Sequence, residues 1–592
     1  MVQVSTARSV SLPLRGLAFV RRQIRSSELW LIAVAVLAGA AAGGLAVVQA
    51  KLAHGLQILL FAFDPDQRLS AQAAITPWRV LFIPAGGLAL GLMTWAWSRW
   101  RTTRAVDPVE ANALHGGAMS VRDSAFICAQ TLVSNGSGAS VGLEAAYAQA
   151  GGAAGSMIGR ALALRRADLR TLVGAGAGAA IAAAFGAPLT GAFYAFEIVI
   201  GAYTVANIAP VAAAALAAVL VARSLGGDTY KLSSTVEAIQ NWPVYGLYAL
   251  LGLATAVFGV ALMRMVATAE RWTVKLPVPL WLRPALGGML LAGIALYTPQ
   301  TLSAGHGALA LDLERDLGLK MLLLLIAMKA AASIISLSFG FRGGLFFAAL
   351  FLGALEGQAF AELINLAPGL PHLNGTVAAL VGMGALGVAI IGGPLTMSFL
   401  VLETTGDFSV TAATLVASLI ASAVVRETFG YSFSTWRLHL RGETIRSAHD
   451  VGWIRTLTAG RMMRKDVPAV PTDTGLAEFR RRFPLGAAKR VVLTDAEGRY
   501  AGLAPVAAAW SADLNDSGGE GDLAALAVNA QAVLAPEMSI KEIMAAFDRA
   551  QSDELAVVDA DGQVLGVLTE AYATRRYAEE LEKARRDLTG EA

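Results

Sequence analysis

The sequence predicts a polytopic α-helical membrane protein built from two repeats of broken helices, followed by a soluble α/β domain. Three observations carry that expectation. Of the 592 residues 55% are hydrophobic and only 15% charged, several apolar stretches have membrane-spanning length, and a proline-to-glutamate motif occurs twice.

Leu29 to Val48, Val80 to Trp97, Gly246 to Met263 and Met321 to Leu337 are each about long enough to cross a hydrocarbon core of about 30 Å. The last of these is broken only by Lys329. Residues 1–27 show no short apolar segment followed by a small-residue cleavage site, so no removable signal peptide is expected. Arg15, Arg21, Arg22 and Arg25 stand just before the first span, which favours a cytoplasmic N-terminal segment. A formal net charge of +3 is small for this length and gives no sign of a nucleic-acid partner. The lone Cys128 excludes an internal disulfide framework and is expected to be packing, and six scattered histidines offer no zinc-ligand spacing.

Many apolar pieces are short, glycine- and alanine-rich and interrupted. Breaks at membrane depth are tolerated where the loosened backbone is buried or lines a polar pathway, so the texture is that of a transporter. "GAPLTGAFYAFE" (Gly186 to Glu197) returns as "GGPLTMSFLVLE" (Gly392 to Glu403). Pro188 and Pro394 suit the first turn of a helix, which puts Glu197 and Glu403 about two and a half turns inside. Paired motifs of this kind are what duplicated, often inverted, repeats leave, with the substrate site at their interface.

Composition changes near residue 440, and the boundary is placed at Gly442: a membrane domain over 28–441 and a soluble tail over 442–592. The tail holds two similar units at about 456–512 and 529–577. "KRVVLTDAEGRYAGLAP" matches "ELAVVDADGQVLGVLTE", each an apolar run, an Asp-x-x-Gly turn and a second run, hence hairpin-like strands. "SIKEIMAAFDRA" supplies an amphipathic helix, and the polar, glycine-bearing stretch between the units reads as a flexible linker.

"SNGSGASVGLEAAYAQAGG" sets glycines and serines before a helix containing Glu144. A helix N-terminus offers unpaired amides and positive dipole potential, and glycine lets an anion approach them. A carboxylate there is expensive and can occupy the anion site as a tethered competitor, leaving when protonated or displaced. The plainer alternative is an N-terminal capping glutamate.

That segment resembles the gate motif of the CLC family of chloride channels and chloride/proton exchangers. Glu144 takes the place of the gating glutamate, and Gln149, Gly151 and Gly152 also match. "SLSFGFRGGLFFAALFLGALEG" resembles the family's second glycine motif, in which Gly344, Leu345 and Phe346 are the matching anion-binding positions, as Gly142, Leu143 and Ala145 are in the first. The two proline-to-glutamate helices match as well, so the resemblance covers roughly residues 30 to 440. The tail units resemble a tandem pair of CBS domains, an arrangement common in that family. The fold implied is a CLC-type inverted repeat plus a CBS pair, assembled as a homodimer in a cell membrane. The expected site is a bacterial inner membrane, with lipid around the spans and the CBS pair cytoplasmic. The implied cargo is chloride or another small anion, and no enzyme motif stands out.

Departures from the family pattern shape the rest. Leu143 and Ala145 replace an arginine and a glycine beside the gate, and Arg342 is a candidate to restore positive potential. The family's anion-contacting serine has no clear copy; spacing puts Val109 near it, and the neighbouring His115 reads as a solvated or capping histidine. The central tyrosine aligns with Ser434, with Tyr431 as the alternative. Proton-coupled relatives carry an internal glutamate at the position of Ile198, which favours a passive channel. Glu197 is the candidate proton relay for the exchanger alternative, while Glu403 is expected to bond backbone amides or an arginine. A membrane-anchored anion sensor is the third reading. In the tail, Thr569 matches the nucleotide-binding pattern of CBS modules but Tyr572 replaces its acidic residue, so structural CBS units without a bound nucleotide, and no other cofactor or metal, are expected.

Overall fold

The computed structural model describes residues 28–101, 105–227, 239, 241–313, 315, 317–433, 435–436, 457–511, 523–577 and 579. Ser434, residues 1–27, the boundary at Gly442 and residues 512–522 of the linker at 507–523 lie outside them; the linker's first residues, 507–509, belong to the helix Val506–Ala509. The chain divides into two compact units on either side of Asp450.

In the first unit, eight helices among the described residues are long and apolar enough to cross a membrane, from Leu29–Phe61 to Phe408–Thr428. Shorter apolar helices lie between them, including Arg283–Tyr297 of 15 residues and Gly375–Ile391 of 17, below the roughly 20 a span needs. Glycine and proline set where these helices break. Arg166–Phe185 ends on Gly186 at φ 67° and Gly375–Ile391 on Gly392 at φ 91°, the left-handed conformation that a side chain would disfavour. Two residues later Pro188 and Pro394 open the next helices at their first position.

The proline helices differ at their far ends. Pro394–Thr405 is α-helical and carries Glu403 in its last turn. Pro188–Tyr194 instead passes into a π-helical turn, Ala195–Ile200, that contains Glu197. The wider turn displaces Glu197 from the position that regular helical spacing implies.

Small residues bring helices to backbone contact in both halves. A Cβ on Gly176 would lie 2.2 Å from the Gly151 carbonyl oxygen, and one on Gly382 would lie 2.2 Å from that of Gly353. In lipid such close approach substitutes for the hydrophobic drive of a soluble core.

The second unit contains two three-stranded sheets of one pattern. In the first, β1 (Ala469–Pro471) runs parallel to β2 (Arg490–Thr494), which pairs antiparallel with β3 (Tyr500–Pro505). In the second, β4 (Val533–Leu534), β5 (Glu554–Val558) and β6 (Val564–Thr569) repeat it. The hairpin turns match too: Asp495 accepts the amides of Glu497 and Arg499, and Asp559 those of Asp561 and Gln563. The helix Ile540–Ala550 begins with a Ser539–Glu542 capping box. Val492, Leu503 and Val567 pack together between the two sheets, and Tyr500 donates its amide to the Gly562 carbonyl at 2.9 Å.

Candidate functional site

Two glycine-rich loops meet in the membrane unit. Gly142 donates its amide to the Gly344 carbonyl at 3.0 Å, and Gly344 returns the bond at 3.3 Å. Two residues after each glycine a helix begins, Glu144–Ala161 from the first loop and Phe346–Asn365 from the second. Both helices therefore start at one place, and their first amides have no partner within the helix. Two positive dipole ends converge there, a place that favours a negatively charged group.

Glu144 occupies it. Its side chain is 2% exposed, and neither carboxylate oxygen makes a hydrogen bond of good geometry. The carboxyl group folds back over the loop: a Cβ added to Gly142 would meet Glu144 Oε2 at 1.9 Å.

The other residues singled out in the sequence gather around this point, with exceptions. Leu143 precedes the first helix residue, and with Tyr147 it lines a cavity of about 320 Å³ that also contains Arg68, Ser303 and His306. Ala145 is exposed among buried neighbours. Leu345 and Phe346 are buried at the start of the second helix. Val109 lines a different cavity, also about 320 Å³, together with Glu197, Ile198 and Tyr431. Valine and isoleucine bring no donor to that space. His115 is the C-terminal cap of Pro108–Leu114, its ring 4.0 Å from Glu110.

Glu197 and Glu403 are each bound by a helix start. Glu197 accepts the amides of Leu395 and Thr396 and the Thr396 hydroxyl. Glu403 accepts the amides of Leu189 and Thr190 and the Thr190 hydroxyl. Each carboxylate caps the proline helix of the other half.

Three side chains, Lys329, His306 and Tyr194, were given no role in the sequence. Lys329 is fully buried, and its charge acts on Glu144. Arg342, the cation suggested by proximity in sequence, is instead exposed, its amide donated to Ser134. His306 stacks on Phe347 with ring centroids 3.6 Å apart. Tyr194 has Asp107 and Glu144 as its electrostatic neighbours. The interruption of an apolar span by Lys329 was the available signal.

Broken helices repeated in two halves, meeting at paired helix N-termini, define an anion-transport type of membrane protein. The model of the voltage gated chloride channel family matches residues 86–426 and that of the CBS domain matches 530–579. The chain belongs to that family, the CLC proteins, and carries a C-terminal CBS pair. A putative chloride channel protein, ClcB-like, from Ralstonia nicotianae is 31% identical over 399 residues, covering 66% of this chain and 92% of the relative. Two solved structures share the fold. A slow cyanobacterial Cl⁻/H⁺ antiporter is 23% identical with a TM-score of 0.61, covering 69% of this chain and 97% of that one. A eukaryotic CLC transporter is 18% identical with a TM-score of 0.58, covering 93% and 98%.

Proposed function

We propose that this protein is a gated, passive pathway for small anions, chloride first among them, with Glu144 as the gate. The observation that carries the reading is the Glu144 carboxylate seated at the Gly142–Gly344 bridge, where two helix N-termini meet. Ionised, it fills the site reserved for an anion; protonated or displaced, it vacates it. The passive character rests on Ile198, which cannot exchange a proton, and on Glu197, whose oxygens are committed to Leu395 and Thr396. In this reading the protein works as a homodimer in a bacterial inner membrane, with its N-terminus and CBS pair cytoplasmic and the CBS units free of nucleotide.

A second reading is chloride/proton exchange, favoured by Tyr194. Its phenol has the carboxylates of Glu144 and Asp107 as electrostatic neighbours, and a proton step through them would not need Ile198. The fold is also that of a known Cl⁻/H⁺ antiporter. Reversal potentials of the reconstituted protein under opposed chloride and proton gradients separate the two: dependence on chloride alone supports the passive pathway, and a shift with the proton gradient supports exchange.

A further inference from the structure

We infer that Lys329 is the fixed cation that holds the Glu144 gate closed, standing in space where the gate loop carries no cation in sequence. This rests on the reading of Glu144 as the gate.

The helix Gly318–Ser338 has 21 residues, about 31 Å of rise, and Lys329 lies near its middle, at the depth where a charge is most costly. It is fully buried all the same. A buried lysine has to be paired and hydrogen-bonded to remain charged. Its ammonium donates to the carbonyls of Thr301 at 3.1 Å and Ser303 at 3.0 Å. Two carbonyls thus accept from the ammonium, and Glu144 is the carboxylate whose charge favours it.

The surrounding geometry ties this lysine to the gate loop rather than to the scaffold at large. Lys329, Ser333 and Ser336 follow at helical spacing on one face of their helix, all fully buried. Ser336 Oγ accepts the amide of Ser140, and Ser333 Oγ bonds Ser140 Oγ at 3.1 Å. Ser140 belongs to the loop that delivers Glu144. On the other side, Ser303, whose carbonyl receives Lys329, donates its own amide to Gly138 of the same loop at 3.2 Å. The loop is thus fastened on two sides to the elements that fix the ammonium. Lys329 is a positioning residue: it acts on the anion site through Glu144.

The titratable groups that interact electrostatically with Glu144 among the described residues include Tyr147 on its own helix, Tyr194 on Pro188–Tyr194, and Lys329. Arg68 acts on Tyr147 and, with Lys329, on His306. Among these, Lys329 is the cation that acts on Glu144 itself. Removing its charge disfavours the carboxylate, so the gate protonates, and opens, at higher pH.

The test is chloride flux from liposomes as a function of pH. Lys329→Gln keeps a donor for the Thr301 and Ser303 carbonyls and removes the charge; Lys329→Met removes both; Lys329→Arg keeps the charge. Lys329→Gln should move the pH of half-maximal flux alkaline by about one unit. Lys329→Met should do the same, and Lys329→Arg should stay near the unmodified protein. In a Glu144→Gln background, Lys329→Gln should no longer alter the pH profile. A Lys329→Gln profile that superimposes on the unmodified one overturns the proposal, as does a shift that persists without Glu144. If Lys329→Met fails to fold, Lys329→Gln decides. Failure of Glu144→Gln alone to raise flux would instead overturn the gate assignment, so the two failures are distinguishable.

Discussion

Glu197 and Thr396 are joined by two hydrogen bonds, from the threonine amide at 2.8 Å and its hydroxyl at 2.6 Å, and Glu403 and Thr190 repeat the relation with the halves exchanged. Each glutamate sits at the C-terminal end of its helix and caps the N-terminal end of the other. Two helices linked in that way at both ends run antiparallel. The reciprocity gives the inversion that similarity between the two motifs could not, because a repeated string carries no direction in space.

These carboxylates should therefore behave alike, as structural caps. Hydrogen bonds to a charged acceptor are worth about 1.5–3 kcal/mol each when a partner is lost, so Glu197→Gln and Glu403→Gln should both lower stability by about 2 kcal/mol. Thr190→Val and Thr396→Val should cost about half as much. Thermal unfolding of the four variants in detergent checks this. A large loss for one glutamate and none for the other would break the equivalence, and a change in proton coupling without a change in stability would return Glu197 to the role of relay.

The gate can be tested from its neighbour. Gly142 has an ordinary backbone, since it is absent from the residues with positive φ, so alanine is conformationally allowed there. The three atoms nearest to an added Cβ are all in the Glu144 carboxyl group, the closest at 1.9 Å. Gly142→Ala should push the carboxylate out of the anion site and raise flux at alkaline pH, where the unmodified gate is closed. Glu144→Gln should raise flux several-fold and abolish most pH dependence, and adding Gly142→Ala to it should raise flux no further. Equal flux from Gly142→Ala and the unmodified protein at pH 9 would mean that the carboxylate does not obstruct the path.

In the soluble unit, Arg490 of the first sheet bonds Asp553 ahead of the second, with Lys489 nearby. The Arg490 hydrogen bond is the main reason that the Asp553 carboxyl is held below its usual range. A depressed folded value contributes stability above the unfolded value of about 3.9 and loses it as pH falls through the folded one. Asp553→Asn should thus destabilise the CBS pair near neutrality, and the difference should vanish in acid. The aspartate side chain is 57% exposed, so the effect should stay below about 1 kcal/mol. Unfolding of the soluble unit, followed from pH 7 to pH 3, provides the measurement; a difference that grew on acidification would contradict the sign.

What the sequence made legible was periodic or repeated: the apolar spans, the paired proline helices, the matching Asp-x-x-Gly hairpins. What it hid depends on positions in space. Arg342 is near the second glycine motif along the chain yet exposed, whereas Lys329, separated from that motif by more than a dozen residues, reaches Glu144 because its helix carries it back to the gate loop. The π-helical turn at Ala195–Ile200 was equally silent, since no residue in it is a helix breaker.

The last prediction concerns coupling. A strict exchanger needs a proton acceptor on each side of the anion site and a route between them, and Glu144 supplies one. In the cavity lined by Val109, Ile198 and Tyr431 the carboxylate at hand is Glu197, and both its oxygens are engaged in the three hydrogen bonds by which it caps Pro394–Thr405. A side chain held by the scaffold in that way is poorly placed to swing between partners at every turnover. Chloride flux should accordingly run without a fixed proton stoichiometry. With a chloride gradient held across liposomes, a tenfold proton gradient should leave the reversal potential within a few millivolts of its value at symmetrical pH. A monovalent ion under a tenfold gradient is worth about 59 mV, so a substantial fraction of that would be unmistakable. Such a shift would transfer the proton path to Tyr194 and Asp107, and Tyr194→Phe should then abolish it while leaving anion flux in place.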